Sequence, residues 1–247
     1  MKFSIITPCY NSEATIINTL DCVHDQTYKN FEHIIIDGGS TDRTACIVRS
    51  HMNPKIIFIS ESDNGIYDAM NKGAALSSGD IICFLNSDDF YIDNNVLSDV
   101  CLAFSTGNPD FVYGDLLMVD SKGAVKRKWI SGGECAHFLS GRQIPHPVLF
   151  VKKDILLKLD PIFDPSYKIA ADLKQQLVFV NKLHSTGSYI KRPLTVMRLG
   201  GESTKSFLSY FEGWIESRRA YNEIFGSGGL IFTIRKAIRK LSDIVIS

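Results

Sequence analysis

Asp88 and Asp89 are adjacent carboxylates at the end of an apolar run, Ile81-Ile82-Cys83-Phe84-Leu85, from which they are separated only by Asn86-Ser87. Two neighbouring carboxylates repel each other unless a cation or hydrogen-bond donors neutralise them. Oxygen ligands suit Mg2+ or Mn2+, ions that commonly bridge protein carboxylates and phosphates. The chemistry open to this pair is therefore to hold a divalent ion against a diphosphate. A competing reading makes the pair a polar turn whose aspartate caps a helix near Asn94 to Phe104.

Other polar residues follow apolar runs in the same way. Thr7, Tyr10 and Asn11 close the run from Phe3, Asp37 and Gly39 follow Phe31 to Ile36, and Glu61 and Asp63 follow Ile56 to Ser60. In open α/β sheets ligands sit beyond the carboxyl ends of the strands, so sequence position alone collects these side chains at one rim. A nucleotide needs an acceptor for its base or ribose, a flat aromatic wall and a cation for its phosphates. Asp37, Tyr10 and Asp89 can supply these in turn. The first turn, Thr7-Pro8-Cys9-Tyr10-Asn11, lacks the glycines of a redox dinucleotide fold, and no P-loop motif occurs.

The elements that must position these residues are legible as an alternation. Phe3 to Thr7, Phe31 to Ile36, Ile56 to Ser60 and Ile81 to Leu85 read as buried strands. Between them lie a helix capped by Asn11 or Ser12 with Ile16, Ile17, Leu20 and Val23 on one face, a helix from about Arg43 to His51 after the Gly38-to-Asp42 turn, and a helix over Tyr67 to Leu76. Four such units predict an α/β fold with a doubly wound, mostly parallel sheet flanked by helices.

After Asp110 the pattern loosens. Phe111 to Val119 and Ala124 to Trp129 read as strands about a turn at Ser121 to Gly123, Ser131 to Arg142 as a mobile loop near the site, and Val148 to Val151 as a strand. Ala170 to Leu183 predicts a helix whose apolar face of Leu173, Leu177, Val180 and Leu183 excludes Asp172. Gly187 to Arg198 resembles a final edge strand, and from Ser206 the chain reads as helical. This divides it into a sheet domain over 1–204 and a helical region over 205–247.

Composition sets outer bounds. With 247 residues, 45% hydrophobic and 22% charged, the chain can bury one sizeable core. Charge balances at 27 against 27, so nothing global points to nucleic acid. The six cysteines form no C-x-x-C pair and suit buried thiols in a reducing compartment. The N-terminus does not read as a signal peptide, and no run reaches the roughly 20 apolar residues of a spanning helix. A cytoplasmic location is the expectation.

Four ordered motifs carry a resemblance. They are Phe3-Ser4-Ile5-Ile6-Thr7-Pro8-Cys9-Tyr10-Asn11, Ile36-Asp37-Gly38-Gly39-Ser40-Thr41-Asp42, Asp63-Asn64-Gly65-Ile66-Tyr67-Asp68-Ala69-Met70-Asn71-Lys72-Gly73 and Phe84-Leu85-Asn86-Ser87-Asp88-Asp89. Over roughly residues 3 to 198 the chain resembles family 2 glycosyltransferases of the GT-A fold, most of all bacterial enzymes that build O-antigen and other surface polysaccharides.

The resemblance implies a role for each matched residue. Asp37 would bind the base, usually uracil, with Thr7 and Tyr10 lining its pocket. Asp88 would contact the ribose or metal, and Asp89 would hold Mn2+ or Mg2+ against the diphosphate of the nucleotide sugar. Asp63, Asn71 and Lys72 would flank the donor. Ile169-Ala170-Ala171-Asp172 matches the segment with the catalytic base, which makes Asp172 the candidate base of an inverting transfer, and His146 falls where relatives often place a site histidine. The alternative for His146 is a solvated loop imidazole.

Two departures stand out. Asn86 replaces the first acid of an Asp-x-Asp metal motif, and Ala171 replaces a glutamate before the base. Losing that charge and gaining a nearby helix N-terminus would both lower the Asp172 pKa. The departures keep other readings open, namely a non-catalytic nucleotide-sugar-binding or scaffold protein, and a nucleotidyltransferase.

The tail has its own pattern. From Lys205 onward seven basic residues face four acidic ones. Ile231, Ile234, Ile238, Leu241 and Val245 recur at helical spacing, with Arg235, Lys236, Arg239 and Lys240 on the rest of the wheel. Such a helix over 229–246 fits an anionic membrane surface, at the cytoplasmic face of the inner membrane where a lipid-diphosphate-linked saccharide acceptor would wait. It equally fits docking on the protein itself or on a second subunit of a homo-oligomer.

Overall fold

A computed structural model describes residues 1–132, 141, 143–199 and 207–242, apart from the side chains of 207–210 and 240–242. The element order is β1 (Phe3–Cys9), α1 (Ile16–His24), β2 (Phe31–Asp37), α2 (Thr44–Ser50), β3 (Ile56–Ser60), α3 (Ile66–Leu76), β4 (Ile81–Phe84), β5 (Phe90–Tyr91), α4 (Val96–Gly107), β6 (Phe111–Val119) and β7 (Val125–Trp129). A 3-10 turn (His146–Val148), β8 (Leu149–Lys152), α5 (Lys153–Leu156), α6 (Ala171–Leu177), a π-turn (Val178–Lys182), β9 (Gly187–Arg198), α7 (Phe207–Phe225) and α8 (Gly229–Ser242) follow.

The strands form one sheet in the order β3-β2-β1-β4-β8-β6-β9-β5, with β7 paired to β6. β1 runs parallel to both β2 and β4, and β2 parallel to β3. The antiparallel strands are β8, between β4 and β6, and β5 and β7. β2 is buried along its whole length, which explains its continuous apolar sequence. Ile34 and Ile36 join the main core, while Ile35 joins a second cluster with Cys9, Ile16, Leu20 and Val48. Alternation along the strand thus covers both faces. Gly73 lets α3 lie flat on β1, because a Cβ there would stand 2.4 Å from Ile6 Cγ2.

Several sequence expectations change. Neither Asn11 nor Ser12 caps α1 with its side chain, and α1 begins only at Ile16. Those side chains are committed to neighbouring loops. Asp88 and Asp89 cap no helix, since β5 intervenes and α4 starts at Val96 behind Asn95. The expected helix to Leu183 becomes α6 plus a π-turn, and the change of phase leaves Leu183 exposed while Val180 stays buried. β9 is not an edge strand, because the two-residue β5 covers it at Thr195 and Val196, where its burial is deepest. Most of the Ser131-to-Arg142 loop (133–140 and 142) lies outside the described residues, as do 200–206 and 243–247, with Val245.

Candidate functional site

The parallel register places Cys9 beside Asp37 and Asp37 beside Ser60, so the loops after β1, β2 and β3 leave the sheet together. Hydrogen bonds lace them. Asn11, at φ 48°, accepts the Thr41 N–H at 2.9 Å, and its own N–H donates to Ser40 Oγ at 2.8 Å. Asp42 accepts from Glu13 N and Thr44 N, and Glu13 accepts from Arg43 N. Ser12 Oγ lies 2.8 Å from Ser87 Oγ, tying the first loop to the loop that carries Asp88 and Asp89.

Asp37 is fully buried at the centre of this lacework. Its carboxylate accepts from the Ser40 N–H and hydroxyl and from Ser60 Oγ at 2.6 Å. Asp63 accepts the Gly65 N–H at 2.9 Å and lies against Gly38, where a Cβ would stand 2.6 Å from its Oδ2. Tyr10 projects from the rim, 61% exposed. Thr7 does not line an open pocket: its side chain is enclosed and bonded to His33 Nε2 at 2.9 Å. Burial pushes that imidazole down to about 3, so His33 is neutral.

Asp88 and Asp89 occupy different environments. Asp88 is half-exposed at the rim. Asp89 is fully enclosed, with Oδ2 accepting from Asn86 Nδ2 at 3.0 Å and Oδ1 lacking a hydrogen-bond partner among the described residues. Burial first, and the Asp88 charge second, push its carboxyl well above the usual range. Asn86 supplies a donor where an aspartate would add a third charge. Asp88 is accordingly the member that can meet a ligand directly, and Asp89 stands behind it.

Asn71 and Lys72 are each held by protein partners. The Asn71 amide is used on both polar groups of Phe163, donating to its carbonyl at 2.8 Å and accepting its N–H at 2.9 Å. Lys72 pairs with Glu61 at 3.0 Å and Asp68 at 3.5 Å.

A chain of rings leads from the end of β4 to Asp172. Phe84 lies 5.0 Å from both His146 and Phe163, Phe163 stacks on Tyr67 at 5.5 Å, and the Tyr67 hydroxyl donates to the Ile169 carbonyl at 2.7 Å. His146 is thus no solvated loop residue. Both its ring nitrogens are enclosed without a partner among the described residues, and burial pushes it down to about 4.

Asp172 opens α6, and Gln143 donates to its Oδ2 at 2.8 Å. Burial raises its carboxyl above the ordinary value, outweighing the Lys236 charge, the Leu173 N–H and Gln143, each of which lowers it. This reverses the expected direction, because desolvation dominates the helix terminus. Read from the sequence, Gln143 and Phe163 have no role, Tyr67 stands only in a motif and Lys236 only on the basic face of the terminal helix, since their contacts here join distant segments that no spacing records. A cavity of about 450 Å3 at the other end of the strands, between Met1, Ser78, Asp80, Lys153 and Leu157, holds none of the motif residues.

A parallel sheet extended by antiparallel strands, with acidic loops gathered at one rim, is the arrangement of the GT-A fold. The profile of Glycosyl transferase family 2 matches residues 4–151, and the chain belongs to this family. The PGL/p-HBAD biosynthesis glycosyltransferase of Mycobacterium bovis is 32% identical over 174 residues, covering 69% of this chain and 66% of the relative. The chain thus spans just under two thirds of that relative's length. The amylovoran biosynthesis glycosyltransferase AmsB of Erwinia amylovora is 42% identical over 94 residues, 36% of this chain and 31% of its own. Among solved structures, S. aureus TarS 1-349 in complex with UDP-GlcNAc superimposes with a TM-score of 0.70 at 20% identity, over 92% of this chain and 67% of that one.

The depressed His146 fixes a sign for acid stability. The unfolded chain takes the proton near pH 6.5 and the folded one only near 4, so the folded state is fully stable above 6.5 and weakens as pH falls towards 4. Replacing His146 by Phe keeps a ring beside Phe84 and removes the proton. At pH 5 the variant is expected to lose about 2 kcal/mol less than wild type relative to pH 7, from about 1.4 kcal/mol per pKa unit. Urea unfolding at both pH values reads this, and equal losses contradict it.

Proposed function

We propose that this chain transfers a single hexosyl group from a UDP-sugar to a hydroxyl of a saccharide acceptor, with inversion at the anomeric centre, in the assembly of O-antigen or another surface polysaccharide. One observation carries the reading: Asp37 and the Asp88-Asp89 pair share a rim whose end at Phe84 is joined by the His146–Phe163–Tyr67 rings to the carbonyl of Ile169, in the segment that leads into Asp172. The UDP-GlcNAc complex of TarS and the naming of AmsB for amylovoran biosynthesis support donor and pathway.

The donor site suits a divalent cation, Mn2+ or Mg2+. Asp88 reaches the rim, while Asp89 is enclosed with an unpartnered Oδ1, and burial and the Asp88 charge disfavour its ionised form, which a cation would restore. No group of three His, Cys, Asp or Glu side chains surrounds the pair among the described residues, so the diphosphate would complete the coordination. When bound, the cation would stabilise negative charge developing on the departing nucleoside diphosphate. The Tyr10 ring flanks the base, and Asp37 holds the Gly38-to-Ser40 turn against it. Asp172 takes the proton of the acceptor hydroxyl as that oxygen attacks C1. Its raised pKa makes it a stronger base than an ordinary aspartate, and activity should rise with pH as it ionises.

The acceptor in this reading is lipid-diphosphate-linked at the cytoplasmic face of the inner membrane. No helix among the described residues is long and apolar enough to cross a membrane. Instead α8 packs inwards through Phe232 and Thr233, leaving Ile231, Ile234 and Ile238 exposed at 58%, 51% and 62%, and α7 exposes Phe211, Trp214 and Ile215. The expected apolar stripe thus faces outwards, and exposed Arg218 and Arg235 beside it favour an anionic lipid surface.

Asp172→Asn is expected to lose about a hundred- to ten-thousand-fold in turnover while keeping donor affinity; near-normal turnover would remove Asp172 as base. In a thermal-shift panel of UDP, GDP and UDP-sugars, UDP ligands should raise Tm, more with Mn2+, and Asp88→Asn should abolish the Mn2+ increment. A panel in which UDP gives no shift contradicts the donor assignment. Ile234→Glu with Ile238→Glu should release the protein from phosphatidylglycerol-containing liposomes in sedimentation, and unchanged binding counts against the membrane face.

A further inference from the structure

Asp172 stands in the first turn of α6, a helix with no cap of its own, since Ala170 before it has no side-chain oxygen to offer. The donors there are taken from outside. Glu216, half-buried on α7, accepts the backbone N–H of Lys168 with Oε1 at 2.8 Å and those of Ile169 and Ala170 with Oε2, both at 2.9 Å. From α3 the Tyr67 hydroxyl donates to the Ile169 carbonyl at 2.7 Å, so both polar groups of Ile169 are held by distant elements. Gly213 lets α7 lie against the same residue, for a Cβ there would stand 3.3 Å from Ile169 Cγ2. The same face of α7 continues the grip, with Ala220 buried and Glu223 accepting from the Tyr167 hydroxyl at 2.9 Å and from Lys174 Nζ at 2.6 Å. The opposite face carries the exposed Phe211, Trp214 and Ile215.

We infer that Glu216 is a positioning residue for Asp172, and that α7 thereby sets where the base stands. The inference rests on Asp172 being the base, as proposed above. Three hydrogen bonds to one carboxylate fix the path of the chain over Lys168 to Ala170, which ends two residues before Asp172. Without Glu216 those N–H groups lose their acceptor, and the chain must move to find others. Any such movement passes into the first turn of α6 and so to the Asp172 carboxylate, where a misplacement of about 1 Å can cost about a hundredfold in rate. Gln143, which donates to Asp172 Oδ2 at 2.8 Å, is a built-in reporter of where that carboxylate lies.

The test uses the whole chain labelled with 15N, with Gln143→Leu assigning the Gln143 side-chain amide and Asp172→Ala giving its signal without the bond. In Glu216→Ala that signal should move towards its position in Asp172→Ala. Glu216→Gln, whose one amide oxygen can still accept from Ile169 and Ala170, should fall between. A Gln143 signal unmoved in folded Glu216→Ala overturns the inference, whatever happens to Tm. If neither Glu216 variant folds, the wild-type chain decides: the Ile169 and Ala170 amide protons should exchange about tenfold or more slowly than in an unstructured chain, and free exchange overturns it. UDP release from UDP-N-acetylglucosamine with Mn2+ separates the two readings. Turnover should fall about a hundredfold in Glu216→Ala with KM for the donor unchanged. Release that survives in Asp172→Asn defeats the base assignment. Release lost in Asp172→Asn but kept in Glu216→Ala defeats the positioning role alone, and if the wild type does not turn over this donor the Gln143 signal is decisive.

Discussion

Parallel pairing of β1 with β2 and β4, and of β2 with β3, forces the loops after all four strands to one rim. A slip of one residue in β2 would turn its side chains to the opposite faces and carry Asp37 away from Cys9 and Ser60. What locks the register is burial on both sides: Ile34 and Ile36 against the α3 side, Ile35 against α1 and α2. The hydrogen bonds among Asn11, Ser12, Ser40, Thr41 and Ser87 then tie the loops after β1, β2 and β4 into one margin.

The candidate carboxylates, in that margin and on α6, are differentiated by surroundings. Asp37 is saturated by hydroxyl and N–H donors, Asp89 is enclosed with one oxygen unmatched, Asp88 meets solvent, and Asp172 is raised by burial yet tempered by an amide and an ammonium. Desolvation and hydrogen bonding push in opposite directions, so the same side chain can anchor a loop, respond to a cation or take up a proton. The rings of Phe84, His146, Phe163 and Tyr67 pack as one buried series beneath the end of β4.

Much of the fold was readable because short apolar runs ending in polar turns are what a sheet buried on both faces requires. The strands over Phe3, Phe31, Ile56 and Ile81 appear where the periodicity puts them. Legibility declined where tertiary contacts override local pattern. A two-residue β5 has no periodicity, the π-turn at Val178 breaks a regular heptad-like face, and α8 turns Phe232 inwards although its isoleucines form the clearer stripe. Motif likeness picked out Asp37, Asp88 and Asp172 as candidates, but it could not foresee that Asn71 would clasp Phe163, that Thr7 would bond a buried His33, or that desolvation would raise Asp172. Each of these depends on partners far away in the chain.

The central claim is positional: one rim of the sheet holds nucleotide and cation together. Anomalous diffraction at the manganese edge, from crystals of this chain soaked with UDP and MnCl2, locates the ion directly. The account predicts an anomalous peak beside Asp88, with the uracil ring at the Tyr10 and Asp37 side. A manganese peak remote from Asp88, or UDP seated at the opposite end of the strands near Ser78 and Lys153, would contradict it.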